Sequence, residues 1–209
     1  IDNDALKEAR KQLDSYSKKT SISYVHADAQ ALPLQPATVD IGFIANSIHN
    51  MEFKDAVIEC ASTAIKQRGY LVFNTTFFEG AYVRGTERLW LGWTLAARWW
   101  IKERGLPFES QREETAEARK FLKPEEYEQL LNKFGLRVVK TATDAVNLEQ
   151  KALEAIAEYW EFAKGALHAV EAYARTASEA LKEAVGRYFE QKKITAIPRN
   201  WLQVVAQKQ

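Results

Sequence analysis

Two short apolar runs, separated by one helix length, constrain this chain more than any other feature. Val39–Ala45 (VDIGFIA) is almost continuously apolar, and so is Tyr70–Asn74 (YLVFN). Runs of this length bounded by turn residues read as strands buried on both faces, as in a parallel sheet. Between them, Phe53–Gln67 has helical spacing, with Ala56, Val57, Cys60, Ala64 and Ile65 inward and Gly69 at the C-cap position. Upstream, residues 4–17 form an amphipathic helix with Leu6, Ala9 and Leu13 on one face, and Ser21–His26 is a further β-rich run. Strand–helix alternation of this kind predicts a parallel α/β sheet with right-handed crossovers.

Beyond residue 76 the pattern changes. Residues 77–118 hold Phe77, Phe78, Tyr82, Trp90, Trp93, Trp99 and Trp100, and Leu89–Ile101 is apolar on nearly every side. That stretch is shorter than the roughly 18 residues needed to cross a bilayer, so it is buried, covers a ligand or lies on an interface. Lys123–Phe134 is a helix stopped by Gly135, and Leu136–Thr141 is a strand. Residues 147–192 contain no proline. Leu153, Ile156, Trp160, Ala163, Leu167, Val170, Ala174, Ala177, Leu181, Ala184 and Tyr188 recur there at steps of three and four, a heptad-like seam. A break is expected at the capping-box pattern Thr176–Glu179. A last strand, Trp201–Gln207, follows the Pro198 turn.

Composition narrows the function. Lys and Arg number 29 against 28 Asp and Glu, so no strongly basic face for nucleic acid is expected. One cysteine excludes an internal disulfide framework, and three dispersed histidines match no metal-ligand spacing. No signal peptide opens the chain, which predicts a cytoplasmic location.

In open parallel sheets, ligands bind at the carboxyl ends of strands. The polar residues expected there are Asp28 after the first β-run, Asn46, Ser47 and His49 after Val39–Ala45, and Asn74, Thr75, Thr76 and Glu79 after Tyr70–Phe73. His49 is a candidate base or orienting group, because a neutral imidazole can take a proton from an acceptor. The plainer reading makes it a packed turn histidine. Asp28 as an ordinary loop residue and Asp2 as a solvated terminal residue are the corresponding plain readings. Cys60 and His168 read as structural.

Four segments then resemble the class I S-adenosylmethionine-dependent methyltransferases, small-molecule branch. Ile1-Asp2-Asn3-Asp4 is similar to the segment after that family's second strand, where an acidic residue binds the ribose hydroxyls. His26–Pro33 (HADAQALP) resembles its D-A-x-x-L-P loop, where the Asp accepts from the adenine amino group. Val39–Asn50 resembles its fourth strand and the following turn, and Gln67–Phe73 the approach to its fifth. Residues 122–141 and 194–208 match its last two strands more loosely.

The resemblance implies a Rossmann-like α/β sheet, incomplete at its N-terminal edge, with a helical cap. The core would comprise 1–76, 122–146 and 194–209, and the cap 77–121 and 147–193. It implies S-adenosylmethionine as cofactor, held by Asp2, Asn3, Asp28, Ala29, Ala45 and Asn46, with His49 catalytic. The acceptor would be a hydrophobic or aromatic small molecule against Glu79, Tyr82, Trp90 and Trp93. The family's G-x-G-x-G turn has no counterpart, because no two glycines here are separated by one residue. The chain starts about where the family's second strand ends, so the resemblance implies some tens of residues upstream. That departure keeps a second reading open: a non-catalytic module binding a protein or lipid through its cap. Contact of Leu89–Ile101 with a membrane surface, and a homodimer through the seam, are further expectations.

Overall fold

The computed structural model describes residues 3–17, 20–111 and 120–209. Strands β1 (Val39–Ala45) and β2 (Ile65–Thr75) pair in parallel, with Ile41 opposite Tyr70 and Ala45 opposite Asn74. Helix α2 (Lys54–Ala64) makes the crossover. It stops three residues before the expected Gln67. Ile65 takes extended geometry, lies 2% exposed and pairs with Val39, so burial in the sheet outweighs one more helical turn. Residues 66–69 then bulge out of register. Gly69 is not a helix cap: a Cβ there would stand 2.7 Å from the Asp40 carbonyl oxygen, so glycine permits the close approach of the two strands.

The sheet is mixed, in order β1-β2-β4-β3, rather than wholly parallel. Strand β4 (Ala196–Lys208) runs antiparallel to β2, and to β3 (Leu136–Glu149) along its whole length. The reason lies in the connection. The helices after β3 leave and return at one end of the sheet, so the chain re-enters in the opposite direction. Helix α4 (Pro124–Lys133) precedes β3, with Pro124 opening the helix and the Glu126 carboxylate accepting from the Lys123 N–H at 2.7 Å. Gly135, at φ 72°, ends it as expected.

Two expectations fail on the other side. Residues 20–27 form no strand, because no ladder partner lies beside them among the described residues. Strand β1 is not buried on both faces: Ile41 and Phe43 are 63% and 61% exposed. Helix α1 (Asn3–Ser17) forms as its sequence predicts, yet Leu13 and Tyr16 on it are exposed.

Helices α3 (Glu87–Glu103), α5 (Gln150–Ala157), α6 (Trp160–Leu167) and α7 (Ala174–Lys192) enclose a second core. The seam breaks at Glu158–Tyr159 and His168–Tyr173, not at Thr176, which lies within α7. His168 adopts left-handed geometry and closes α6 there. Leu153, Ala163, Leu167, Ala177, Leu181, Ala184 and Tyr188 of the seam are buried together, whereas Trp160 is 52% exposed. The core of the sheet is a separate cluster built from Ile58, Phe73, Leu131 and Val204. Strand β4 serves both, through Ile197 in the first and Leu202 in the second.

Candidate functional site

The carboxyl ends of β1 and β2 are laced together by two asparagines. Asn46, at φ 41°, donates its backbone N–H to Asn74 Oδ1 at 2.7 Å. Its own Oδ1 accepts from the Thr76 N–H at 2.9 Å and the Thr76 hydroxyl at 3.2 Å. Asparagine tolerates the left-handed region better than most residues, and here it turns the chain sharply out of the strand. The turn continues as a 3-10 segment, Ile48–Asn50, which carries His49 inward.

His49 is 4% exposed, stacks on Phe77 with ring centroids 4.1 Å apart, and places Nδ1 3.0 Å from Thr75 Oγ1. In the tautomer that leaves Nε2 free to accept, Nδ1–H donates to the Thr75 hydroxyl. Burial, and then the positive charges of Lys54 and Arg199, lower its pKa to about 4. The imidazole is therefore neutral at pH 7, but too weak a base to hold a proton there.

Arg199 is the residue that the sequence alone did not flag. It lies on β4, 5% exposed, and donates both Nε and Nη2 to the Thr76 carbonyl, at 3.0 and 2.6 Å. Its guanidinium carbon lies 4.2 Å from the Tyr82 ring centroid, 5.2 Å from that of Trp90, 5.5 Å from that of Phe77 and 6.0 Å from that of Phe121. Aromatic faces attract a desolvated cation, so this box accommodates the charge. Burial pulls the guanidinium below its ordinary range; it nevertheless stays protonated at neutral pH. Lys54 is also buried, with Nζ donating to the Met51 carbonyl at 2.7 Å. No carboxylate is buried among the described residues. The available sequence signal was Pro198-Arg-Asn just before an apolar strand, which reads as a turn rather than a site.

The structure thus brings Asn46, His49, Tyr82 and Trp90 into one cluster. Trp93 is not in it as a lining residue. It is fully buried in the cap core and donates Nε1–H to the Leu181 carbonyl at 2.9 Å, so it has no surface to offer an acceptor. Glu79 is exposed, with its carboxylate 4.0 Å from Lys123 Nζ. Cys60 is half-buried rather than core, its Sγ accepting from the Leu32 N–H at 3.3 Å.

Beside the cluster, a crevice of about 410 Å³ runs between β1, α2 and the 29–34 loop, lined by Ala29, Leu32, Phe43, Ala45, Ser47 and Met51 among others. Asp28 precedes this lining, exposed, with Oδ1 accepting from the Gln30 N–H at 2.9 Å. Asn3 opens α1, and Asp2 lies outside the described residues. Among the described residues no group of His, Cys, Asp and Glu could hold a metal ion.

Residues 1–73 match a family model described as a methyltransferase domain. No curated protein sequence matches the chain. Among solved structures it is similar to a candidate methyltransferase from Bacillus halodurans, with TM-score 0.56, 13% identity, and all of this chain matched to 80% of that one. A candidate sarcosine dimethylglycine methyltransferase from Galdieria sulphuraria matches with TM-score 0.52, 11% identity, and 100% and 67% of the two chains. The [4+2]-cyclase SpnF matches with TM-score 0.52, 14% identity, and 100% and 64%. The chain therefore has the class I methyltransferase fold. At such identities the likeness speaks for the fold alone, and SpnF's description names another reaction.

Proposed function

We propose that this chain, whose fold is that of the class I S-adenosylmethionine-dependent methyltransferases, transfers a methyl group from that cofactor to a small molecule with an apolar or aromatic body. The observation that carries the reading is a junction. The rim of the apolar crevice, Ala45 and Ser47, is continuous in the chain with the turn that presents His49 to the Arg199 aromatic cluster.

S-adenosylmethionine supplies an activated methyl group on a sulfonium. The residues here fit its nucleoside half: Asp28 offers an exposed carboxylate for an amino or hydroxyl donor, and Ala29 and Ala45 line an apolar crevice beside it. Its methionine end has no glycine turn to receive it in this sequence. Methyl transfer from a sulfonium asks mainly for in-line placement and exclusion of water. The half-buried Trp90 and Phe121 limit access of water, and Arg199 adds positive potential that favours an acceptor carrying negative charge. His49 orients the acceptor by accepting a hydrogen bond from its O–H or N–H. The released proton goes on to solvent, because a group with a pKa of about 4 does not keep it at pH 7.

Calorimetric titration of the intact, full-length protein with S-adenosylhomocysteine, its mass checked beforehand, tests the reading. Micromolar binding is expected, and Asp28→Ala is expected to weaken it by about 1–3 kcal/mol through loss of a charge-assisted hydrogen bond. One rival is a module that kept the sheet and binds a partner through its cap. Lack of any binding by the intact, full-length protein would overturn the methyl-transfer reading and leave the likeness one of fold only.

A further inference from the structure

We propose that the outward stripe of α3, Leu91, Leu95 and Trp99 between Arg88 and Lys102, seats this protein on an anionic lipid surface as a peripheral contact. The inference stands on its own and does not require the methyl-transfer reading.

The five residues follow one another at steps of three and four, so on a helix they share an arc of about 80° and a length of about 21 Å. All five are exposed, and the three apolar ones are 58%, 47% and 59% exposed. The helix cannot roll to bury them. Its opposite face holds Trp93, Ala97, Trp100 and Ile101 in the cap core. The Tyr188 hydroxyl donates to the Leu89 carbonyl at 2.9 Å, and a Cβ on Gly92 would stand 2.3 Å from that hydroxyl oxygen. The backbone of α3 is thus pressed against α7, and the stripe is fixed outward.

Charge decides the occupant. The chain as a whole is nearly neutral, at +1. Within residues 84–104, Arg84, Arg88, Lys102 and Arg104 are exposed against Glu87 and Glu103, Arg98 is half-buried with its guanidinium donating to the Leu167 carbonyl, and Glu103 is bound to Arg187 at 2.9 Å. Lys102 Nζ lies 5.0 Å from the Trp99 ring centroid, so indole and ammonium share one end of the stripe. An apolar row with a tryptophan and basic termini suits a headgroup layer, where rings sit at the boundary and cations meet anionic lipid. A second copy suits it poorly. Antiparallel pairing of two stripes sets Arg88 against Lys102, and parallel pairing sets like against like, so both ends repel. Among the described residues no helix is long and apolar enough to cross a membrane, so the contact is superficial.

The test is co-sedimentation of the full chain with phosphatidylcholine vesicles, with and without phosphatidylglycerol, at low and high salt. Binding is expected only with phosphatidylglycerol, and it should fall as salt screens the charges. Leu95→Glu, and the pair Arg88→Glu with Lys102→Glu, should each lower partitioning about tenfold or more while leaving the melting temperature unchanged. No binding to anionic vesicles at low salt overturns the proposal, as does binding that these variants leave intact. A dimer in analytical ultracentrifugation that Leu95→Glu dissociates also overturns it, in favour of a second copy on the stripe.

Discussion

The cap and the first strand are both rich in apolar residues, yet one is closed and the other open. In the cap, Trp93, Leu153, Leu167 and Leu181 are wholly buried. On β1, Ile41 and Phe43 stand more than half exposed. The difference is one of supply. A heptad seam carries its own partner a few turns along the chain, so α5, α6 and α7 close on one another and on α3. A strand cannot bury its second face or satisfy its second edge from its own residues; it needs neighbours.

Four expected outcomes sharpen or break that contrast. Leu181→Ala should cost about 2–5 kcal/mol in denaturant unfolding, because it opens a hole in a closed core. A loss under about 1 kcal/mol would mean that the cap is loosely packed. Acid comes next. His49 titrates near 6.5 when unfolded and about 4 when folded. The unfolded chain therefore binds the extra proton first as pH falls. Stability is full above about pH 6.5 and should decline by roughly 3 kcal/mol on approach to pH 4. His49→Gln should flatten that window, read by unfolding midpoints across pH. Arg199→Met should cost about 1–3 kcal/mol, because the Thr76 carbonyl loses its donors in a buried site, with Arg199→Lys restoring part of it. Phe43→Ser, on the open side, should shift stability by less than about 0.5 kcal/mol. A large effect there would show that β1 is covered in solution.

Elements made of local contacts were legible in the sequence. Helices α1 and α4 fall almost where spacing and caps place them, and β1 falls at Val39–Ala45 as read. What misled was whatever depends on a distant neighbour. Ser21–His26 has strand composition but no ladder to join. Gly69 imitates a helix cap, although its requirement comes from the Asp40 carbonyl across the sheet. Thr176–Glu179 has a capping-box pattern, but Ala177 and Leu181 bury in the cap core and the helix, which begins at Ala174, runs through it. At the site, Asn46 and His49 could be found from their place after an apolar strand. Arg199 could not, because its partner, the Thr76 carbonyl, lies 123 residues away in the chain. Trp93 was singled out for aromatic character, which does not distinguish a core indole from one that lines a site.

The placement of β4 between β2 and β3 has a consequence for how the protein is made. Residues Tyr70–Thr75 reach their inner neighbour only at Leu202–Gln207, close to the end of the sequence. During synthesis, the apolar strand Tyr70–Asn74 leaves the ribosome with one edge bare, and it stays bare while more than a hundred further residues are added. Contacts of such long range form slowly, and an unpaired apolar edge is a template for aggregation in the meantime. A version shortened before Ala196 should accumulate as insoluble material, although it keeps every residue of β1, α2 and β2.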